Sequence, residues 1–279
     1  MSPAFTNDQH LNDVLASFDR ATNPRLADVL RSLVAHLHAF VIETELTREE
    51  WMMGIEFLTA AGRLCDDRRQ EFILLSDTLG VSMLVEMVNQ QNSDGATEPT
   101  VLGPFYVPNA PARKMGESIA QDDSHDDVLI LGVVRSSRGE PLADASLDVW
   151  QVTPNGLYDV QDATITPMSS RGIYRTGADG RFAVRTTIPV DYQIPTDGPV
   201  GRMLAATGRP AWRPAHTHFM VSHPNYRTVI THVFDAASPH LKSDAVFGVR
   251  DSLIVDFAEK VLSFDFVLDP ILDDVRNQS

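Results

Sequence analysis

Cysteine is almost absent from this sequence. Cys65 is the only one among 279 residues, so the chain cannot form an internal disulfide or hold a metal cluster on several thiolates. So little cysteine suits a reducing compartment, where disulfides are rare. The sequence therefore predicts a cytoplasmic protein that is stable without disulfides.

Basic charge and long apolar runs are also scarce. Lysine and arginine number 23 against 38 aspartates and glutamates, which gives a net charge of −15 and a pI near 4.9. This charge repels nucleic acid and anionic membrane surfaces, and no Lys/Arg-rich run reverses it locally. No window approaches the ~18 consecutive apolar residues of a membrane span, and the first eight residues lack the features of a signal peptide. We therefore expect neither a nucleic-acid partner nor a membrane span, and we attribute the acidity to solubility.

Residues 23 to about 92 have helical periodicity. Five apolar residues fall on one helical stripe, Leu26, Val29, Leu30, Leu33 and Leu37. Thr47 and Glu50 form a capping-box pattern that predicts the start of a second helix, and apolar spacing predicts a third from Arg69 to Gln91. A polar, glycine-containing segment at residues 90–97 follows, which is typical of a domain boundary.

Beyond this segment the periodicity changes to that of β-strands. Short runs rich in β-branched residues predict strands at residues 128–134, 147–152, 181–188, 219–222, 228–234 and 252–257. Asp179-Gly180 is a hairpin-turn signal between Tyr174 and Phe182. Many short strands without intervening helices indicate a sandwich or barrel. We predict an α+β protein with an N-terminal helical dimerisation and linker domain, residues 1–97, and an antiparallel β-sandwich catalytic domain, residues 98–279.

His216 and His218 are the first candidate metal ligands. Residues two apart on a strand face the same side, so both imidazoles can reach one ion, and Pro214 suits the start of such a strand. Two imidazoles do not complete a site. Asp235 or Asp256 would give a site of two histidines and a carboxylate, as in iron(II) oxygenases.

Tyrosine is the other candidate ligand. Tyr158 and Tyr192 lie in polar segments rich in turn residues, and an anionic phenolate is a hard donor suited to a trivalent ion. Two phenolates and two imidazoles would favour iron(III) over iron(II) and over zinc. Spacing alone does not choose between the carboxylate and the tyrosine alternatives.

Three motifs in a fixed order resemble the iron site of the intradiol ring-cleavage dioxygenases, which include catechol, chlorocatechol, hydroxyquinol and protocatechuate enzymes. They are Asp148–Tyr158 (DVWQVTPNGLY), Arg185–Tyr192 (RTTIPVDY) and Arg213–His218 (RPAHTH). The resemblance also takes in Gly103–Tyr106 and the N-terminal helices, which resemble the helical linker domain of the catechol-type branch. It therefore covers nearly the whole chain.

This resemblance implies iron(III), one ion per subunit, with Tyr158 and His218 as equatorial ligands and Tyr192 and His216 as axial ones. It implies that the diol displaces Tyr192, which then takes a substrate proton. It also implies that the fixed cation of Arg213 stabilises negative charge that develops on the substrate. The expected reaction inserts both atoms of O2 and opens the ring between its hydroxyls, which gives a muconate-type diacid.

The resemblance is strongest to hydroxyquinol 1,2-dioxygenases. The matching pocket positions are Leu74, Asp77, Val101, Leu102, Gly103, Pro104, Phe105, Ile194, Pro195 and Val246, together with Arg213. Asp77 could accept a hydrogen bond from a third ring hydroxyl, which catechol lacks. His232 departs from the simple catechol enzymes, which have Gln near this position, and its role stays open. The expected reaction is hydroxyquinol (benzene-1,2,4-triol) to 3-hydroxy-cis,cis-muconate or maleylacetate; the alternative is catechol to cis,cis-muconate.

The helical region is expected to form a homodimer, because its apolar stripes exceed what one short helical layer can bury. The resemblance further implies lipid bound between these helices. Two interpretations from other classes also stay open at this stage. One is a zinc or iron(II) hydrolase, or an extradiol oxygenase, that uses His216, His218 and a carboxylate; the other is a non-enzymatic, metal-free β-sandwich binding module.

Overall fold

A computed structural model describes residues 7–66, 69–89, 93, 95–120 and 127–271. The chain contains two compact units, Met1–Thr59 and Ala60–Ser279. The helices are α1 Asn7–Ala16, α2 Pro24–Glu43, α3 Arg48–Arg63, α4 Glu71–Thr78, α5 Val81–Asn89 and α6 Pro199–Ala206. In the described part of the chain, no helix combines the length and the apolar character needed to cross a bilayer. The predicted domain boundary between residues 97 and 98 stays a prediction.

Local capping explains where the first long helices begin. The side chain of Asn23 accepts a hydrogen bond from the backbone N–H of Leu26 at 3.0 Å, which caps α2. At the start of α3 the predicted capping box is confirmed. The N–H of Thr47 donates to Glu50 Oε2 at 2.9 Å, and the N–H of Glu50 donates to Thr47 Oγ1 at 3.2 Å.

The predicted third helix is two helices, so that prediction was wrong in its continuity. Gly80 has φ of +73° and separates α4 from α5, because a left-handed residue ends an α-helix. The predicted end of this run, residues 90 and 91, lies outside the described residues, as does part of the polar boundary segment.

The strands form the predicted sandwich. They are β1 Asp127–Ser136, β2 Ser146–Trp150, β3 Arg171–Arg175, β4 Arg181–Thr187, β5 Tyr192–Gln193, β6 Trp212–Arg213, β7 His216–His223, β8 Tyr226–Asp235, β9 Ile254–Val255, β10 Val261–Ser263 and β11 Phe266–Leu268. One sheet has the order β10-β1-β11 with β4 also paired to β1, the second has the order β3-β2-β7-β8-β9, and β5 pairs with β6. The short strands β9, β10 and β11 pair in parallel with longer ones, and the remaining pairings are antiparallel.

Three predictions about this unit need correction. The turn at Asp179-Gly180 exists, but it connects β3 to β4, which belong to different sheets, so it does not close a hairpin. The predicted strand at 252–257 is strand only at β9, and 3-10 turns over Asp251–Leu253 and Phe257–Glu259 flank it. An unpredicted helix, α6, begins at Pro199, whose fixed φ suits the first turn of a helix.

The two faces of the five-stranded sheet have different roles. Val149, Phe219 and Val233 point into the core between the sheets, where Phe219 packs against Phe266 of the opposite sheet with ring centroids 4.9 Å apart. Because side chains alternate along a strand, the residues between them face away from this core. These residues include Trp150, His218 and His232, so one row of aromatic rings crosses β2, β7 and β8 on the outer face.

The packing of β1 generates a stability prediction. A Cβ at Gly132 would overlap the carbonyl oxygen of Phe264 and lie 2.8 Å from Phe182 Cζ. We expect Gly132→Ala to lower the free energy of unfolding by about 3 kcal/mol, since overpacking forces the backbone to move. Urea unfolding followed by circular dichroism measures the change.

Gly62→Ala is the matched control. A Cβ at Gly62, within α3, would be no closer than 3.5 Å to Phe72, which is an ordinary contact, so this variant should equal or slightly exceed wild-type stability. Equal stability of the two variants would contradict the close approach of β1 to Phe264.

Candidate metal centre

His216 and His218 lie at the start of β7 on the outer face of the five-stranded sheet, and both are fully buried. Their Nε2 atoms are 3.1 Å apart. His216 Nδ1 lies 2.6 Å from the carbonyl oxygen of Pro214, which can only accept a hydrogen bond. Nδ1 therefore carries the proton, and the lone pair of His216 is on Nε2, directed at its neighbour. The prediction that both imidazoles can reach one point agrees with this geometry.

Two tyrosines complete the cluster. Tyr158 lies in the turn-rich segment after β2, and its Oη is 2.8 Å from His218 Nε2. Tyr192 is the first residue of β5, and its Oη lies 3.3 Å from Tyr158 Oη, with the rings edge to face. Three separate segments of the chain thus bring two phenol oxygens and two imidazole nitrogens together. The carboxylate candidates Asp235 and Asp256 make other contacts, to backbone N–H groups of Ala237 and Ala258.

This set of four donors fits a metal cation. All four groups are Lewis bases, and two imidazole nitrogens at 3.1 Å repel one another unless a proton or a cation lies between them. Burial raises the pKa of Tyr158 well above its ordinary value, and the neighbouring Tyr192 raises it further. A bound trivalent cation would reverse this effect, because it stabilises the phenolate. Tyr158, Tyr192, His216 and His218 are thus the residues that could hold a metal.

A histidine binds a metal through its neutral imidazole, and the surroundings of His216 and His218 favour this neutral form. Burial lowers the pKa of His216 well below its ordinary value, and the charge of Arg213 lowers it further. The pKa of His218 is also well below its ordinary value, because burial lowers it and the nearby His216 and Arg213 lower it further. Both rings can therefore offer a lone pair at neutral pH.

Arg213 provides the positive charge beside the cluster. It is the partner of Tyr192 in the β5–β6 ladder, and its Nη1 donates to Tyr192 Oη at 3.4 Å. Its Nε donates to Asp244 Oδ1 at 3.1 Å, and both side chains are almost completely buried. Although burial opposes it, the charge of Asp244 raises the pKa of Arg213 above its ordinary value. The guanidinium is therefore a permanent cation that Asp244 holds in a fixed position next to a candidate ligand.

A second buried ion pair supports Tyr158. Arg171 donates through Nε to Asp159 Oδ1 at 2.9 Å, and its guanidinium lies over the Tyr158 ring, 5.9 Å from the centroid. Gln161 Oε1 accepts a hydrogen bond from the backbone N–H of Tyr158 at 2.9 Å. Arg171, Asp159 and Asp244 were not predicted from the sequence, because nothing in their spacing distinguishes them from surface charges.

Several predicted pocket residues lie against the cluster. Phe105 stacks on Tyr158 with centroids 4.8 Å apart, and Leu102 packs in the same group. Gly103 has φ of +76°, and a Cβ there would lie 3.7 Å from His218 Cε1. The backbone N–H of Val246 donates to Asp244 Oδ1 at 3.3 Å, which ties Val246 to the partner of Arg213.

Other predicted pocket residues are enclosed in the same unit. Asp77 is buried, and burial raises the pKa of its carboxyl above the ordinary value, while Ser82 and Arg213 oppose the shift. The remaining predicted pocket residues are buried or half-buried, and their part in the pocket stays a prediction: Leu74, Val101, Pro104, Ile194 and Pro195.

His232, for which the sequence predicts no role, is a third buried imidazole. One ring nitrogen each of His216, His218 and His232 lies within 4.8 Å of the others. Burial lowers the pKa of His232, and His218, His216 and Arg213 lower it further. It is therefore neutral, like the two candidate ligands.

Comparison with known proteins identifies the family. A family profile described as "Dioxygenase" matches residues 101–270, and one described as "Catechol dioxygenase N terminus" matches residues 23–97. The chain is 47% identical to a 6-chlorohydroxyquinol 1,2-dioxygenase of Cupriavidus pinatubonensis, over 95% of this chain and 99% of that protein. It is 48% identical to a hydroxyquinol 1,2-dioxygenase of Rhodococcus opacus, over 92% and 86% of the respective chains.

Solved structures agree with the sequence relatives. The hydroxyquinol 1,2-dioxygenase of Pseudomonas putida DLL-E4 superposes with a TM-score of 0.87 at 46% identity, covering 95% of this chain and 98% of that one. Acinetobacter radioresistens catechol 1,2 dioxygenase superposes with a TM-score of 0.82 at 25% identity, covering 97% and 95%. These matches decide against a hydrolase and against a non-enzymatic binding module. The chain belongs to the intradiol ring-cleavage dioxygenases, the non-heme iron-dependent enzymes that use O2 to open aromatic diols.

Proposed function

We propose that this enzyme binds one iron(III) ion per subunit through Tyr158, Tyr192, His216 and His218 and cleaves hydroxyquinol between its adjacent hydroxyls. The product would be 3-hydroxy-cis,cis-muconate, equivalently maleylacetate. The observation that carries the proposal is the convergence of two phenol oxygens and two imidazole nitrogens in one buried cluster. When bound there, iron(III) supplies Lewis acidity that holds the diol and withdraws electron density from its ring.

Tyr192 and Arg213 would handle the charge that substrate binding creates. A diol must lose protons to bind as a dianion, and Tyr192 Oη can take one of them if the substrate displaces it. Arg213 Nη1 already contacts this oxygen at 3.4 Å, so the same guanidinium can stabilise the negative charge that develops on the substrate. Asp244 keeps the guanidinium from turning away, because it binds the Nε edge.

The position of Asp77 favours hydroxyquinol over catechol as the substrate. Its buried carboxyl interacts electrostatically with Arg213 and Asp244, the pair beside Tyr192. A third ring hydroxyl could donate to Asp77, and a substrate that lacks this hydroxyl would leave a buried polar group without its partner. Relatives that are 46–48% identical and act on hydroxyquinols also support this substrate.

The proposal extends to the assembly and the compartment. Leu26, Leu33 and Leu37 on α2 are each about half exposed, so the described residues leave much of the predicted apolar stripe uncovered. A homodimer formed through the N-terminal helices would bury this apolar stripe. Lipid bound between the helices would cover any apolar surface that the dimer leaves exposed. The single free cysteine, Cys65, supports operation in the reducing cytoplasm.

Substitution of the tyrosine ligands tests the metal site. We expect Tyr158→Phe and Tyr192→Phe to weaken or shift the visible absorption that phenolate-to-iron(III) charge transfer gives the purified protein. Iron content by mass spectrometry and the absorption spectrum measure the effect. Tyr174→Phe is the control, because Tyr174 is buried but donates to the Glu117 carbonyl outside the cluster. Spectra and iron content unchanged in both site variants would remove the two tyrosines from the metal site.

Substitution of Asp77 tests the substrate. Oxygen uptake by the wild type should be faster with hydroxyquinol than with catechol, with boiled enzyme as the blank because hydroxyquinol autoxidises. We expect Asp77→Asn to lower kcat/KM for hydroxyquinol by ~10-fold or more and to change that for catechol by less than ~3-fold, since each such contact contributes about 1–3 kcal/mol. Equal losses on both substrates would contradict a specificity role, and a wild-type preference for catechol would select the alternative substrate.

Substitution of Asp244 tests the support of Arg213. Asp244→Asn leaves a buried guanidinium without its counter-charge, so we expect a loss of about 3–5 kcal/mol in the free energy of unfolding and a lower kcat/KM. Asp197→Asn is the control, because Asp197 pairs with Arg69 at the surface and is 72% exposed. That variant should lose less than about 1 kcal/mol. Similar small losses in both would contradict the account of the buried pair.

Charged substitutions in the apolar stripe of α2 test whether the protein dimerises through this helix. We expect light scattering to give a dimer mass that is stable on dilution, and the double variant Leu33→Glu/Leu37→Glu to give a monomer. Val261→Glu on β10 introduces a charge at another exposed apolar residue and should leave the mass unchanged. A monomeric wild type would overturn the dimer, and mass spectrometry of the native protein detects any bound lipid.

A further inference from the structure

His232 occupies the centre of the aromatic row on the outer face of the five-stranded sheet. It is the cross-strand partner of His218, and its ring centroid lies 4.2 Å from that of His218 and 4.6 Å from that of His216. The side chain is completely buried. It is therefore enclosed with the proposed ligands, although the proposed four-ligand site does not use it.

The two ring nitrogens of His232 have different surroundings. Nδ1 lies 2.6 Å from Thr100 Oγ1, whereas Nε2 has no hydrogen-bond partner within the described part of the chain. A neutral imidazole carries one proton, so the Thr100 hydroxyl can either donate to Nδ1 or accept from it. If it accepts, its own hydrogen also has no acceptor among the residues that the structure describes. Donation from Thr100 leaves fewer buried groups unpaired, and it places the imidazole proton on Nε2.

Thr100 is held rigidly enough to set this tautomer. Its backbone N–H donates to the carbonyl oxygen of Ile230 at 2.8 Å, and Thr231 Oγ1 donates to the carbonyl oxygen of Glu98 at 2.8 Å. The segment that carries Thr100 is thus bonded to β8 at Thr100 itself and two residues before it, at Glu98. Its hydroxyl is fixed beside Nδ1, because both residues are completely buried.

We propose that His232 donates a hydrogen bond from Nε2–H to an anionic oxygen of the bound aromatic substrate, and that Thr100 is the positioning residue that holds it in the donating tautomer. A buried N–H without a partner is costly in the free protein, and an oxyanion that enters the site would satisfy it. The inference rests on the proposed function, since it requires the diol to bind at the Tyr158–His218 cluster. It gives the enzyme a second donor to the substrate besides Arg213.

Binding without turnover tests this role. Iron-loaded protein is titrated with catechol in the absence of O2 by isothermal calorimetry, so the dissociation constant is measured independently of catalysis. We expect His232→Leu to weaken binding by ~10-fold or more, the range for a hydrogen bond to a charged group, and His232→Gln, which keeps an N–H donor, to stay within ~3-fold of wild type. Thr100→Val, which keeps the shape but removes the hydroxyl, should weaken binding by ~3-fold or more, whereas Thr100→Ser should match wild type.

Control measurements distinguish a direct role of His232 in substrate binding from a role in metal binding or folding. Iron content and thermal unfolding of each variant are measured first, and wild-type values are expected in His232→Gln and Thr100→Val. Loss of iron in His232→Gln would make His232 a metal ligand and overturn the proposed role. Wild-type affinity in iron-replete His232→Leu would also overturn it. Failure of the wild type to bind both catechol and hydroxyquinol without O2 would instead contradict the proposed function.

Discussion

The antiparallel pairing of β7 with β2 and β8 is the constraint on which the rest of the site depends. Its register sets His218 opposite Trp150 on one side and opposite His232 on the other. The alternation that sends Phe219 and Val221 into the core sends His216 and His218 to the outer face. A slip of one residue would exchange the two faces, so the packing of the sandwich core also fixes the position of the proposed metal site.

Electrostatics then decide what this buried cluster can hold. Phenols and imidazoles that are taken out of water resist ionisation, as the raised pKa of Tyr158 and the lowered pKa of His216 indicate. Arg213 is the cation at the edge of the cluster, and its charge is matched by Asp244. The four donors therefore present lone pairs whose most favourable partner is a bound cation. The same arrangement leaves Arg213 Nη1 beside Tyr192, where substrate charge would develop.

The sequence predicted the parts of this arrangement that follow from local chemistry. His216 and His218 are two residues apart on a strand, so their shared face is predictable from alternation. The joining of Tyr158 and Tyr192 to them required resemblance to a family, because the chain brings them together across 60 and about 25 residues with no local signal. The prediction of one continuous third helix was wrong for a local reason. Gly80 divides one apolar run by adopting a left-handed conformation, which periodicity alone does not indicate.

Long-range partners were beyond prediction. Asp244 lies 31 residues after Arg213, and Thr100 lies 132 residues before His232, so only the fold shows that each pair is in contact. The Asp179-Gly180 turn was identified correctly, but its flanking strands enter opposite sheets, since β3 pairs with β2 and β4 pairs with β1. Sequence patterns therefore miss residues such as Asp244 and Thr100, which contact a site residue but do not belong to the cluster themselves.

The position of ring cleavage tests the central claim most directly. The purified enzyme is given hydroxyquinol under 18O2, and the product is analysed by mass spectrometry. Cleavage between the adjacent hydroxyls predicts a ring-opened diacid that carries two labelled oxygen atoms, one in each new carboxyl group. A semialdehyde, formed by cleavage beside the diol, would contradict the account, as would a diacid with a single labelled atom and unlabelled oxygen from water in its place.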